Sequence, residues 1–343
     1  MNTHANTLFV QTQGAALSKS GETVRVKIDG QCKLTVPLHH LEGIVCFGRV
    51  LVSPGLLEEC ARRGLALAYF TEHGRFVARV VGPISGNVLL RREQYRRADD
   101  PAACLRVARS IVAAKIQNGR TTQLRAARET SDPARAEQLN RAALRLANTL
   151  DDVAKAATVD ATRGYEGDAA RVYFEHFNLL IRQQAESFSM TTRSRRPPLD
   201  PLNALLSFVY AVLTHDMVSA LEGVGLDPAV GFLHVDRPGR PSLALDLLEE
   251  FRTLIADRLV LSLINLKQVQ PDGFQTQPGG AVLMADATRR AVLTALTQRK
   301  RDEVTHPLFG DKVTVGLLPH LQARLLARHI RGDMADYPAL MLK

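Results

Sequence analysis

The chain has 343 residues, of which 45% are hydrophobic, and its 44 Lys and Arg outnumber 35 Asp and Glu to give a net charge of +9. Such a composition excludes a wholly disordered chain and predicts a folded protein with two domains, or one domain with a large insertion. The basic balance favours a polyanionic partner, of which nucleic acid is the simplest.

The cysteines and the apolar runs predict the cellular compartment. The four cysteines form neither a CxxC pair nor a zinc-ligand spacing, so we expect reduced thiols buried in the core. The N-terminal MNTHANTLFVQTQG lacks the basic and apolar regions of a signal peptide. No run approaches the roughly 18 apolar residues that span a bilayer. The sequence therefore predicts a cytoplasmic protein with no membrane partner.

Residues 1–85 are predicted to form a small β-rich domain. The segments NTLFVQT, ETVRVKID and CKLTVPL are short, rich in β-branched residues and separated by glycines, as strands are. A helix is expected around Pro54 to Arg63, with the proline in its first turn. The segments LALAYFT and RFVARVVG, joined by residues 72–74, predict a β-hairpin.

From residue 86 onward the apolar residues recur with a helical period. We assign 86–100 to a linker that contains the arginine-rich LLRREQYRR, and 101–343 to an all-α catalytic domain. The predicted helices are Leu105 to Gln117, Ala134 to Ala157 after an Asp132 N-cap, a helix opened by Asp200 and Pro201, Ala285 to Arg299, and Leu317 to Arg331. The predicted fold class is therefore α+β, a small N-terminal β-rich domain followed by a larger all-α C-terminal domain.

One glutamate lies on the apolar side of a predicted helix. In RGYEGDAARVYFEHFNLLI, Glu166 aligns on a helical wheel with Ala170, Tyr173, Phe177 and Ile181. A glutamate that points inward must be protonated, paired or bound to a cation. The alternative interpretation is a carboxylate that caps the N-terminus of its helix.

A second candidate segment runs from Gly231 to Arg258. His234 lies in a loop broken by glycine and prolines, and a helix is expected to begin near Ser242 as its N-cap. Asp246, Glu249 and Glu250 lie three and four residues apart on that helix, so their carboxylates are expected near one face, although Glu250 points elsewhere on the helical wheel than Glu249. Carboxylates between buried faces, with an imidazole one loop away, suit a hard divalent cation. The alternative is a solvated acidic face beside a structural histidine.

Two carboxylates and one imidazole, Glu166, His234 and Glu249, would suit Mn²⁺ or Mg²⁺, whereas zinc more often recruits several His or Cys. A divalent ion among arginines implies chemistry on phosphodiesters, because the guanidinium groups can hold a phosphate backbone. The candidate DNA-binding residues are Arg163, Arg171, Arg195, Arg196, Arg237, Arg240 and Arg252.

Several strings carry a resemblance along nearly the whole chain. KLTVPLHHLEGIVCFGRVLVSPGLLEECARRG belongs to the predicted β domain, and SRRPPLDPLNALLSFVYAVL and GFLHVDRPGRPSLALDLLEEFR belong to the helical part. Because of these strings, the sequence resembles the CRISPR-associated endonucleases that serve as integrases of the spacer-acquisition module, and among them those of subtype I-C.

The resemblance implies a ligand set, an activity and an assembly. The family's metal ligands fall on Glu166, His234 and Glu249, where the family often has Asp at the last position, and Asp246 matches a supporting acidic residue. The implied activity is metal-dependent DNA cleavage and integration, in which the 3′-hydroxyl of a short captured DNA attacks a phosphodiester of the CRISPR repeat. The implied partners are double-stranded DNA, a second copy in a homodimer formed through the β domains, and a small ferredoxin-like partner nuclease in a heterohexamer.

Two other functions remain open from the residues alone. One is a non-catalytic DNA-binding scaffold, although such a scaffold would gain nothing from carboxylates that repel phosphate. The other is a general repair nuclease for branched DNA, which would share the site but need no repeat or partner.

Overall fold

The computed structural model describes residues 6–82 and 88–341, and its N-terminal part is built from strands. These elements are β1 (Asn6–Val10), β2 (Ala16–Ser20), β3 (Thr23–Ile28), β4 (Gln31–Pro37), β5 (Leu41–Phe47), β6 (Leu51–Val52), helix α1 (Pro54–Arg63), β7 (Ala66–Phe70) and β8 (Phe76–Val80). The strands expected from the three β-branched segments are all present. The expected hairpin is confirmed as the antiparallel pair of β7 and β8.

The eight strands form two four-stranded sheets within the described residues. The first has the order β1-β5-β7-β8, with parallel pairs up to β7, and the second has the order β4-β3-β2-β6. A small apolar core that includes Leu17, Ile44 and Leu56 lies within this β-rich part. Phe47 and Phe70 instead join the large core of the helical part. The first sheet is therefore covered on both faces.

Close contact between the two parts of the chain occurs at the turn between β7 and β8. Gly74 there has φ +84°, and a Cβ atom would lie 2.3 Å from a ring carbon of Phe208. The ring of Phe208 also stacks on Phe47, with centroids 5.9 Å apart. A glycine is required at this turn both for its backbone conformation and for the space beside the ring.

Helices dominate the rest of the chain, which confirms the α+β fold class. They are α2 (Val88–Ala98), α3 (Pro101–Glu129), α4 (Pro133–Lys155), α5 (Val159–Glu175), α6 (Pro201–Gly223), α7 (Ser242–Phe251), α8 (Arg258–Asn265), α9 (Asp286–Arg301) and α10 (Leu318–Arg331). Two short antiparallel hairpins that the sequence did not predict interrupt this part: β9 (Phe274–Thr276) with β10 (Val282–Met284), and β11 (Glu303–Thr305) with β12 (Lys312–Thr314).

The predicted caps are correct at two helices and wrong at a third. The Asp132 carboxylate accepts from the backbone N–H groups of Ala134 and Arg135 at the start of α4. Asp200 caps α6 in the same way. Ser242, however, is the first residue of α7, and its hydroxyl donates to the carbonyl of Val235 instead. The loop ends at Pro241, and the Ser242 hydroxyl contacts the backbone of that loop instead of capping the helix.

A π-helical turn, Arg252–Asp257, connects α7 to α8 in one continuous helix. A π turn inserts an extra residue per turn and redirects the side chains that follow it. Here it places both Arg252 and Asp257 against Tyr210 of α6. This irregularity directly follows the candidate acidic residues.

Two expectations about composition need correction. Cys46, Cys60 and Cys104 are buried free thiols as expected, but Cys32 is exposed because it lies on β4 at the edge of its sheet. Helix α6 is also long and apolar enough to cross a membrane by length and composition. Because 72% of its apolar window is buried inside the protein, its apolar character is that of a core helix.

Candidate active site

The three candidate ligands come together from three separate elements. Glu166 lies in the middle of α5, whose N-cap is Thr158, so the capping interpretation of Glu166 is excluded. Its carboxylate contacts the Nζ atom of Lys115 on α3, and Glu249 Oε2 on α7 lies 2.6 Å from the same nitrogen. His234 Nε2, in the loop before α7, lies 3.9 Å from Glu249 Oε1.

The acidic helix face is buried. The exposed fractions of Asp246, Glu249 and Glu250 are 0%, 4% and 0%, respectively. The alternative interpretation of a solvated acidic face is therefore wrong. Glu250 points away from the other two, as the helical wheel predicted, and accepts from the Tyr337 hydroxyl and the backbone N–H of Leu340.

Asp246 holds the histidine loop through four hydrogen bonds. One carboxylate oxygen accepts from the backbone N–H groups of Phe232 and Leu233 at 2.6 and 2.9 Å. The other accepts from the backbone N–H of His234 at 2.9 Å and lies 2.6 Å from its ring Nδ1. Because an ionised carboxylate only accepts, the hydrogen of the ring is fixed on Nδ1 and the Nε2 lone pair is left for a ligand.

The backbone of the same loop lies close to that carboxylate. A Cβ atom added to Gly231 would lie 2.8 Å from Asp246 Oδ2. Arg163 on α5 also holds this loop, because its Nε donates to the carbonyl of Leu233 at 2.6 Å. Contacts of the loop backbone with Asp246 and Arg163 therefore fix the position of the imidazole, in addition to the contact of the ring itself with Asp246.

Cations surround the buried Glu249. Burial alone would raise its pKa, but the charges of Arg252 and Lys115 outweigh burial and hold the pKa below its usual value. Its Oε2 lies 2.6 Å from Lys115 Nζ and 3.0 Å from Arg252 Nε, yet neither contact is aligned as a hydrogen bond. Glu249 Oε2 is therefore an ionised carboxylate oxygen that is surrounded by positive charge but has no aligned hydrogen-bond donor.

This donor set fits a hard divalent cation. Oxygen ligands and one imidazole suit Mn²⁺ or Mg²⁺, and the poorly satisfied Glu249 Oε2 is an oxygen to which such an ion can bind. The 3.9 Å between His234 Nε2 and Glu249 Oε1 is within the roughly 4.2 Å that separates two ligands on opposite sides of one ion. Among residues 6–82 and 88–341, no three His, Cys, Asp or Glu side chains already form a metal cluster. The Lys115 ammonium lies between the two glutamates instead.

The predicted DNA-binding arginines occupy different environments. Arg195, Arg196 and Arg237 are exposed, and Arg240 is half-buried. Arg171 is 55% exposed and pairs with Asp168 and Glu175 of its own helix.

Arg252 differs from these residues. Its side chain is 14% exposed, and its guanidinium lies 4.5 Å from the centroid of the Tyr210 ring and against Glu249. In this position the Arg252 guanidinium is better placed to hold the Glu249 carboxylate than to make the contact with DNA that the sequence predicted.

The sequence interpretation missed two residues of the site. Lys115 lies in the long helix α3, where nothing in its neighbours distinguishes it from a solvated lysine. In the sequence, Arg193 stands with Arg195 and Arg196 before a proline-stiffened turn, which suits a loop that faces phosphate. Its side chain instead donates to the Asn203 side-chain oxygen at 2.5 Å and lies 5.4 Å from the Tyr210 ring centroid. Burial lowers the pKa of its guanidinium. Tyr210, with Arg193 and Arg252 on its ring and Asp257 at its hydroxyl, therefore supports the site from behind.

A β-rich part followed by a helical part, with carboxylates and an imidazole converging near exposed arginines, defines an enzyme of nucleic-acid phosphodiesters. A family model described as CRISPR associated protein Cas1 matches residues 8–298. The CRISPR-associated endonucleases Cas1 of Chlorobaculum tepidum and Moorella thermoacetica are 52% and 46% identical over 338 residues, with 98% of each chain covered. The chain therefore belongs to the Cas1 family, and the prediction of a CRISPR-associated endonuclease is confirmed.

Solved structures share the fold. A Cas1 protein from Thermotoga maritima superposes with a TM-score of 0.80 at 24% identity, covering 95% of this chain and 97% of the other. A casposase bound to integration product gives a TM-score of 0.82 at 19% identity, covering 98% and 94%. A Cas6-RT-Cas1–Cas2 complex gives 0.81 at 23% identity, covering 99% of this chain and 37% of that chain.

Proposed function

We propose that this chain integrates short captured DNA into a CRISPR array in a reaction that requires Mn²⁺ or Mg²⁺. The 3′-hydroxyl of the captured fragment attacks a phosphodiester of the repeat, and a new phosphodiester forms as the old one breaks. The observation that carries the proposal is the convergence of Glu166, His234 and Glu249 from three elements, with Asp246 fixing the imidazole.

The residues of the chain have distinct parts in this reaction. Glu166, His234 Nε2 and Glu249 would hold the cation, which supplies charge neutralisation and activates the attacking hydroxyl when it is bound. Asp246 contacts the ring Nδ1 of His234, so Nε2 is the ring nitrogen left to bind the cation. Arg252 holds the Glu249 carboxylate from behind.

The surface arginines are proposed to bind the DNA backbone. Arg195, Arg196 and Arg237 are exposed, and Arg237 and Arg240 follow His234 in its loop. Arg171 and Arg163 extend the same charge along α5. Because phosphate contacts are electrostatic, binding through these residues should weaken as the salt concentration rises.

The assembly is also part of the proposal. The structural neighbours include a Cas6-RT-Cas1–Cas2 complex and a Cas1–DNA complex, which supports DNA and a small protein partner. We assign residues 1–85 to a dimerising β domain, 86–100 to a linker and 101–343 to the catalytic domain. Two homodimers would then flank the ferredoxin-like partner in a heterohexamer. The assignment to subtype I-C and to the cytoplasm rests on the sequence strings and composition.

The decisive experiment combines the chain, its partner, a short duplex with free 3′ ends and a supercoiled plasmid carrying a CRISPR array. We expect a half-site joined product that requires Mn²⁺ or Mg²⁺. His234→Ala should abolish joining while duplex binding in a gel-shift assay is retained, and His39→Ala, which removes an exposed histidine, should leave joining intact.

The same assay separates the two alternative functions. A non-catalytic scaffold would bind the duplex and give no joined product with any metal. A general repair nuclease would cut branched DNA without the partner and would show no preference for the repeat. The buried, ionised Glu249 argues against a scaffold, because a carboxylate near DNA is unfavourable unless a cation neutralises it.

A further inference from the structure

Lys115 occupies a specific place in the candidate active site. Its ammonium contacts Glu166 on α5 and lies 2.6 Å from Glu249 Oε2 on α7. The exposed fractions of the Lys115, Glu166 and Glu249 side chains are 16%, 26% and 4%, so water screens these charges weakly. One lysine therefore bridges two of the three proposed metal ligands across two helices.

The geometry of that bridge resembles the position of a bound ion. Two carboxylate oxygens that contact the same nitrogen lie at most about 6 Å apart, which is twice a hydrogen-bond length. A shared Mn²⁺ or Mg²⁺ requires roughly 3–4 Å between two oxygens. Small side-chain rotations would therefore convert the lysine bridge into a metal bridge, once the ammonium leaves.

The charges of the site explain why a cation is needed there. Without Lys115, the carboxylates of Glu166 and Glu249 would lose the cation that contacts both of them, and Arg252 would remain in contact with Glu249. Buried like charges at this spacing destabilise the fold unless a counter-charge is present.

We propose that Lys115 is the internal counter-cation of the metal-free site, which holds Glu166 and Glu249 together and is displaced when the divalent ion binds. The ammonium and the ion compete for the same oxygens, so Lys115 weakens metal binding while it stabilises the metal-free protein. This inference rests on the proposed function, because it requires that the site binds a divalent ion.

The structure also provides space for the displaced side chain. A cavity beside the bridge is lined by Lys115 itself, by Gly119 of the same helix and by Ala170 and Tyr173 of α5. The Asp257 carboxylate and the Arg252 guanidinium also line this cavity. A lysine that swings away from the glutamates can therefore stay within the protein near an acceptor.

The test measures Mn²⁺ affinity of the full chain without DNA, from the loss of the electron paramagnetic resonance signal of free Mn²⁺. We expect Lys115→Met to bind Mn²⁺ roughly tenfold more tightly or better than the wild type, because a competing charge is gone. Lys115→Arg keeps the charge and should stay close to the wild type. Lys155→Met removes an exposed lysine of α4 and should change nothing.

Thermal unfolding of the same variants gives a second readout. Metal-free Lys115→Met should melt below the wild type, and saturating Mn²⁺ should raise its melting temperature by more than it raises that of the wild type. If Lys115→Met is unfolded without metal, recovery of its native circular dichroism by Mn²⁺ supports the proposal. Failure of Mn²⁺ to restore it would assign Lys115 a purely structural role and overturn the proposal.

The outcomes distinguish this inference from the function on which it rests. If the wild type binds Mn²⁺ and folded Lys115→Met binds it equally or more weakly, Lys115 is not a competitor and only this proposal is overturned. If neither protein binds Mn²⁺ or Mg²⁺, the metal site itself is overturned, and the proposed function falls with it.

Discussion

The four hydrogen bonds to Asp246 allow one prediction to be worked out from the structure. Asp246→Asn keeps the size of the side chain but replaces one acceptor oxygen by an NH₂ group. Two of the four donors would then lose an acceptor, either the pair from Phe232 and Leu233 or the pair from His234. A hydrogen bond to a charged group contributes about 1.5–3 kcal/mol, so the expected loss of unfolding free energy is about 3–6 kcal/mol.

The chain has no tryptophan, so unfolding in urea is followed best by far-ultraviolet circular dichroism, which reports the helices. Asp168→Asn is the matched control, because it makes the same chemical change at a carboxylate that is 66% exposed and paired with Arg171. An exposed ion pair contributes about 0–1 kcal/mol. Asp246→Asn should therefore shift the urea midpoint far more than its control.

Asp246→Asn should also weaken Mn²⁺ binding by about 10–100-fold, since the imidazole of His234 loses the group that orients it. Two results would contradict this reasoning. One is a destabilisation no larger than that of Asp168→Asn. The other is an unchanged Mn²⁺ affinity in a folded Asp246→Asn protein, which would show that the imidazole does not depend on the carboxylate.

The remaining predictions concern stability and exposure. Burial raises the pKa of Glu250 from 4.5 to about 7, so its stabilising contribution is full below pH 4.5 and is lost as the pH rises through 7, by about 3 kcal/mol in all. The free energy of unfolding, measured in urea at several pH values, should depend less on pH in Glu250→Gln than in the wild type. The same pH dependence in both proteins would contradict this prediction. Gly74→Ala should lower the free energy of unfolding in urea by about 1–3 kcal/mol, because Gly74 has a positive φ and lies beside the Phe208 ring. Gly55→Ala in α1 should leave it unchanged, because a Cβ atom there meets nothing within 4 Å. A thiol reagent should modify Cys32 quickly under native conditions, and Cys32→Ser should remove that fast reaction; equal fast labelling of several thiols would show that the core opens.

Much of the fold follows from local sequence signals. The helices α4 and α6 begin where an aspartate and a proline predict a start, because such a carboxylate satisfies the free N–H groups of the first turn. The hairpin of β7 and β8 follows from two apolar runs joined by a short turn. The hairpins β9–β10 and β11–β12 were not predicted, because strands of three residues are too short to show an alternating pattern.

Some features of the candidate site also follow from local sequence signals, and others do not. The inward position of Glu166 and the separation of Glu250 from Glu249 were read from helical periodicity, which is a local property. Lys115 was missed because it is distinguished only by its contacts with residues more than fifty positions away along the chain. Arg252 was assigned to DNA because a sequence gives no sign that a π turn would place its guanidinium on Tyr210.

The sequence by itself determined the N-terminal strands, the main helices, the basic charge and the identity of the acidic and imidazole side chains, because each depends on residue type and short-range spacing. Only the tertiary structure decided which charges neighbour one another. Long-range packing of α3, α5 and α7 places Lys115 between two carboxylates and Asp246 beneath the histidine loop. Such contacts depend on how buried surfaces fit together, and no local pattern encodes that fit.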